Sequence, residues 1–127
     1  MRNVYLIDQF NLVHNEIHFI LNETKQLSQL QPTGQVLADS NHEAILYIID
    51  ENDTYNYLSF GKSIWSQLAH MIVSDQKAFL KVEGGVLELT NFAEELKALL
   101  YNIEGNSNYG EAFVQAIENA FADFFSK

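Results

Sequence analysis

Cysteine is absent from the chain. That excludes a disulfide framework, a thiolate metal site and a cysteine nucleophile together, and it fits a cytosolic protein. Basic side chains are scarce, seven Lys and Arg against 17 Asp and Glu, for a net charge of −10. Nucleic-acid binding rests on Lys and Arg set against phosphates, and anionic membranes attract the same cations. Neither is expected of so acidic a surface. The seven cations, Arg2, Lys25, Lys62, Lys77, Lys81, Lys97 and Lys127, are scattered, and only Lys77 and Lys81 stand close together. No apolar run approaches the roughly 20 residues of a membrane span. Asp8 interrupts the N-terminal stretch where a signal peptide needs continuity. The expectation is a soluble, cytoplasmic protein without nucleic-acid or membrane partners. Glycine-rich phosphate loops are missing too, because neither "TGQ" nor "GG" is followed by Lys-Ser/Thr. No serine sits in a nucleophile elbow.

What is present is apolar material for an ordered core. Hydrophobic residues make up 47% and aromatic residues 13% of 127 residues, enough for one domain that needs no staple. Residues 3–9 predict a first strand. From Val13, alternation places Ile17, Phe19 and Leu21 on one face and His14, Glu16 and His18 on the other, which predicts a half-exposed strand. "NETKQLSQLQPT" holds the sole proline, Pro32, and reads as loop. "GQVLADSN" reads as a short strand. "AILYIID" and "TYNYLSF", joined by "ENDT" at 51–54, predict a hairpin. Ile64, Leu68, Met71 and Ile72 switch to helical spacing, with Trp65 beside them as a core anchor. "KAFLKV" and "VLELT" flank Gly84-Gly85, a second hairpin. Two apolar stripes follow, Phe92, Leu96, Leu99, Leu100 and Ile103, then Phe113, Ile117, Ala120, Phe121 and Phe124. The fold class expected is α+β in a single domain over 1–127, with a mainly antiparallel sheet and about three helices, the last two a C-terminal helical hairpin.

The polar run between those stripes, "GNSN", predicts a helix stop and start. Gly105 suits a left-handed cap. Asn108 with Glu111, and Asn91 with Glu94 before the preceding helix, have the spacing of capping boxes.

"TGQVLADS", "SIWSQL" and "LTNFAEELKALLYNIEGNSNYGEAF" resemble a small family of uncharacterised proteins of low-GC Gram-positive bacteria, UPF0738. The resemblance covers roughly the last three quarters of the chain, and the first ~28 residues share only a strand-like character. It implies a cytosolic stand-alone domain. The family carries no established activity, so it transfers no catalytic or binding role.

Several clusters invite a chemical reading. His14 and His18 would lie about 13 Å apart on one strand, too far for a shared ion. "DEND" at 50–53 lacks the central Gly and distal Glu of a calcium loop. Asp39, His42 and Glu43, together with Asp50 or Glu51, are the first place to look for a hard-metal or acid–base site, set against a plain turn before the strand at Ala44. Tyr47, Tyr55 and Tyr57 cluster in the first hairpin, and a sheet face left uncovered by helices would make them a partner surface. Tyr109 and Phe125, which fall outside the capping and stripe patterns, are further contact candidates. The leading reading is a non-enzymatic interaction or regulatory domain that binds a protein partner or itself, with no cofactor or metal. The alternatives are an enzyme or metal-dependent binder using Asp39, His42 and Glu43, and a small-ligand sensor with a pocket between sheet and helices.

Overall fold

Period-two stretches become strands of two four-stranded sheets, and period-3.6 stretches become the helices that share their core. A computed structural model describes residues 3–23 and 25–126; Arg2 and Lys127, two of the seven cations, lie outside them. The strands are β1 (Val4–Ile7), β2 (Phe10–Val13), β3 (Glu16–Ile20), β4 (Leu30–Asp39), β5 (Ala44–Glu51), β6 (Thr54–Gly61), β7 (Lys77–Val82) and β8 (Gly85–Glu88). The helices are α1 (Trp65–Val73), α2 (Phe92–Ile103), α3 (Glu111–Ala120) and a short α4 (Ala122–Phe125). The fold is α+β, and no described helix is long and apolar enough to cross a membrane.

One sheet runs β1-β6-β5-β4 and the other β2-β3-β7-β8. Pairing is antiparallel except for β1 with β6 and β3 with β7. The chain therefore passes from one sheet to the other between Ile7 and Phe10, where a single strand over 3–9 is expected from sequence alone. The continuous strand expected from Val13 is likewise broken. His14 takes a left-handed backbone, φ 54°, and Val13 pairs back onto Glu16 across a two-residue turn. Ile17, Phe19 and Leu21 stay buried, while Val13 belongs to the exposed edge.

The hairpin at 51–54 forms as the sequence predicts. Asn52 and Asp53 both adopt positive φ, 52° and 66°, the tight-turn geometry that matches strand twist. The Asp50 carboxylate accepts the Asp53 N–H at 2.9 Å. The segment around Pro32 is a strand, not a loop. β4 is an edge strand with a register shift between Pro32 and Val36, and an edge tolerates a residue without an N–H. Gly34, at φ 76°, lies in that irregularity.

Inner faces of both sheets and the helices meet in one core. Phe19 and Phe60, from opposite sheets, stack edge to face at 5.0 Å. Phe92 opens α2 between Tyr47 (5.2 Å) and Phe60 (5.1 Å). Trp65 is buried, and its Nε1–H donates to the Phe60 carbonyl at 2.8 Å. Phe113, Ile117, Phe121 and Phe124 are buried along the last stripe.

The caps differ from the sequence expectation. Asn91 precedes α2 with φ 61° and gives no side-chain cap; its side chain packs instead where a Cβ on Gly34 would sit, 3.0 Å away. Gly110, not Asn108, precedes α3, and Glu111 is the first helical residue. Ser107–Tyr109 form an extra 3-10 turn, whose cap is Asn106 accepting the Asn108 N–H at 3.1 Å. That turn uses up the residues a box would need. Gly105 is left-handed, φ 65°, as a helix stop requires. Its N–H donates to Glu118 at 2.9 Å, and Tyr101 stacks on Phe124 at 5.0 Å, so the far end of α3 returns to the end of α2.

Candidate interaction surface

The first hairpin shows how alternation sorts the tyrosines. Ile45, Tyr47 and Ile49 of β5 point into the core with Leu58 and Phe60 of β6. The intervening Ala44, Leu46 and Ile48 point the other way, and they belong to no part of the main core cluster. Register then builds an outward layer. Val4 lies beside Tyr57, which lies beside Ile48. Leu6 lies beside Ser59, then Leu46, then Leu37. Gly61 lies beside Ala44, then Asp39. Leu6 is 74% exposed, Val4 55% and Tyr55 50%. Leu46 and Ile48 on the same face are themselves buried and form its floor. An apolar sheet layer lying on the side away from the helices is thus open at its rim.

Small residues cut a groove of about 430 Å³ across one end of this face. Ala44, Ser59 and Gly61 make its floor, Val4 and Leu6 one wall, and Asp8, Asp39 and His42 its polar margin.

Tyr47 is a correction to the sequence reading. It is 0% exposed, on the inner side of the sheet, and cannot serve an exposed surface. Its hydroxyl donates to the Thr90 carbonyl at 2.8 Å and accepts the Gly34 N–H at 3.2 Å. Burial pushes this hydroxyl above the usual tyrosine range, against the opposing pull of its hydrogen bonds to Thr90 and Gly34. Tyr55 and half-buried Tyr57 do share the outward face. Tyr109 and Phe125 are elsewhere. The Tyr109 hydroxyl donates to Asn102 at 2.6 Å and its ring lies against Phe113. Phe125 is half-buried against Phe124 and Tyr101.

The polar cluster comes together only in part. The His42 ring nitrogen stands 2.9 Å from the Asp39 carboxylate, which also accepts the His42 backbone N–H at 3.3 Å. Glu43 has φ 49° and turns to Lys62, 3.6 Å away. Among the described residues no group of three or more His, Asp or Glu is placed to hold a metal. His14 stands at a hairpin tip, while His18 packs on Phe79 and meets Glu16 at 2.9 Å.

A second polar group escapes sequence reading because its members lie far apart in the chain. Glu51 accepts the Tyr5 hydroxyl at 2.5 Å and Asn56 Nδ2–H at 3.0 Å, and pairs with Lys25 at 2.9 Å. Burial raises the Glu51 carboxyl, but the three partners outweigh it and hold the group below its ordinary range. Lys25 is raised, chiefly by its bond to Glu51. These groups are saturated by one another, which marks a structural tie. Val4, Leu6 and Leu37 were also missed as surface candidates. The one available signal was that β1 is apolar on both alternating faces.

Comparison with known proteins adds lineage. The pattern of UPF0738, a family of unknown function, matches residues 5–121. A UPF0738 protein of Lysinibacillus sphaericus is 41% identical over 121 residues, 95% of each chain. One from Bacillus cytotoxicus is 33% identical over 95% of this chain and 99% of its own. One from Staphylococcus saprophyticus is 40% identical over 72% of this chain and 76% of its own. The match begins at residue 5, so its range takes in β2, β3 and all but the first residue of β1. No solved structure matches the chain. With strands and helices alike inside the matched range, this chain belongs to the UPF0738 family.

Proposed function

We propose that this chain is a small acidic cytoplasmic domain that works by binding a protein partner through the outward face of its first sheet. The observation that supports it is the uncovered apolar layer of Val4, Leu6, Leu37 and Tyr55 over Leu46 and Ile48. Exposed apolar patches of this kind are costly to keep in water unless something covers them. Tyrosine at such a patch contributes large contact area at small entropic cost. A net charge of −10 keeps the free chain soluble and sets the sign of its long-range field. In this reading Asp39 and His42 are rim groups of the contact.

A photo-crosslinking residue placed at Leu6, in living cells of the native host, should trap a discrete protein adduct. The same residue at Glu111, at the start of α3, should not. Tyr55→Ala should weaken the association about tenfold, as removal of an aromatic anchor does. Equal patterns at both positions, or none at either, would refute the assignment.

A further inference from the structure

The structure assigns the groove between Asp8 and Asp39 to a lysine or arginine side chain of the partner, so that the partner presents a cationic, apolar segment. This rests on the reading of the sheet face as a contact surface, and it adds the chemistry of what binds there. Ala44 and Gly61 sit side by side in one row of the face, and Ser59 sits between Leu6 and Leu46 in the next, so small residues leave a channel beside the larger Leu6, Leu46 and Leu37. A long aliphatic stem fits an apolar channel of that kind while its charged head reaches the margin. The margin is acidic. Asp8 makes no hydrogen bond or ion pair among the described residues. Asp39 is held in place by His42 and keeps free lone pairs. The hydroxyls of Ser59 and Ser63 line the same space and can accept from an ammonium or guanidinium.

Charge decides among occupants. Among the described residues, the charged residues pointing outward from this face, Asp8, Asp39 and Asp50, are all negative. The nearby Lys62 is already engaged by Glu43. A second copy would bring like rims together along with another −10 charge, whereas a basic segment is both steered and neutralised by this rim.

Two dodecapeptides with identical leucine and valine positions test this, one carrying lysine and arginine between them and the other glutamate. Each is titrated into the full chain and followed by amide chemical shifts. The cationic peptide should shift the amides of Ala44, Ser59 and Gly61, and the acidic one should not. Asp39→Asn and Asp8→Asn should each weaken binding about three- to tenfold. Glu111→Gln, away from the groove, should change nothing. Shifts scattered over the acidic surface, with all three variants equivalent, would overturn the groove assignment. If both peptides bind alike and only Leu6→Glu abolishes binding, the cationic assignment falls and the contact face stands. If neither peptide moves the face and Leu37→Glu leaves host crosslinking from position 6 intact, both fall. Concentration-dependent dimers broken by Leu6→Glu would replace the basic partner with a second copy.

Discussion

Tyr47 carries more of this structure than its place in a tyrosine-rich hairpin suggests. Its hydroxyl ties β5 to the Thr90 carbonyl before α2 and to the Gly34 N–H in the irregular part of β4. Tyr47→Phe leaves both groups without that partner and should cost about 1–3 kcal/mol in denaturant unfolding. Because its hydroxyl is raised, Tyr47 ionises less readily folded than unfolded. Its stabilising share is whole below the ordinary tyrosine value of about 10 and declines as pH climbs past it. Glu51 has the opposite sign. Its carboxyl is depressed, so its share is whole above the ordinary carboxylate range and disappears as pH falls through the folded value. Glu51→Gln should therefore flatten the acid limb of a stability–pH curve below about pH 4. An unchanged acid limb would remove Glu51 as its cause. Gly34 adds a third residue-level demand, since its positive φ strains any residue with a Cβ and the Asn91 side chain, 3.0 Å from where that Cβ would sit, would have to shift. Gly34→Ala should destabilise by about 1–3 kcal/mol.

At the scale of elements, α2 is held by its first residue. Phe92 touches aromatic rings from both sheets, so Phe92→Ala should cost about 3–5 kcal/mol, read as a lower unfolding midpoint. The turn before α3 separates two accounts of its polar residues. Spacing alone nominates Asn108 as the cap, but the structure gives that work to Asn106, which also donates to the Asn102 carbonyl at 3.0 Å. Asn106→Ala should cost about 1 kcal/mol, and Asn108→Ala no more than about 0.5 kcal/mol. The reverse order would restore the capping box. The elements with strong patterns, β5, β6, α1, α2 and α3, were legible because their periodicity is local. The second half of β4 was legible in "GQVLADSN", but its first half was not, since Pro32 reads as a breaker and only an edge position with an irregular register accommodates it.

For the whole molecule, the outward sheet layer is the feature that matters. Leu6 and Ile7 are adjacent and equally apolar, yet one faces water and the other the core. Leu6→Glu should leave unfolding within about 0.5 kcal/mol of the parent chain. Ile7→Glu should unfold it, because a buried carboxylate has no partner there. Equal tolerance at both positions would contradict the two-layer arrangement. By itself, the sequence determined the element types, the acidic charge and the stripes that build the core, because each depends on neighbours within one or two turns of chain. It also held the family signature. Only the tertiary structure decided which side of each strand is covered. That choice depends on which distant segments arrive: Phe92 and the helices settle on the Tyr47 side, while on the other side Leu6 stays 74% exposed. A strand apolar on both faces is consistent with either outcome until the rest of the chain has packed.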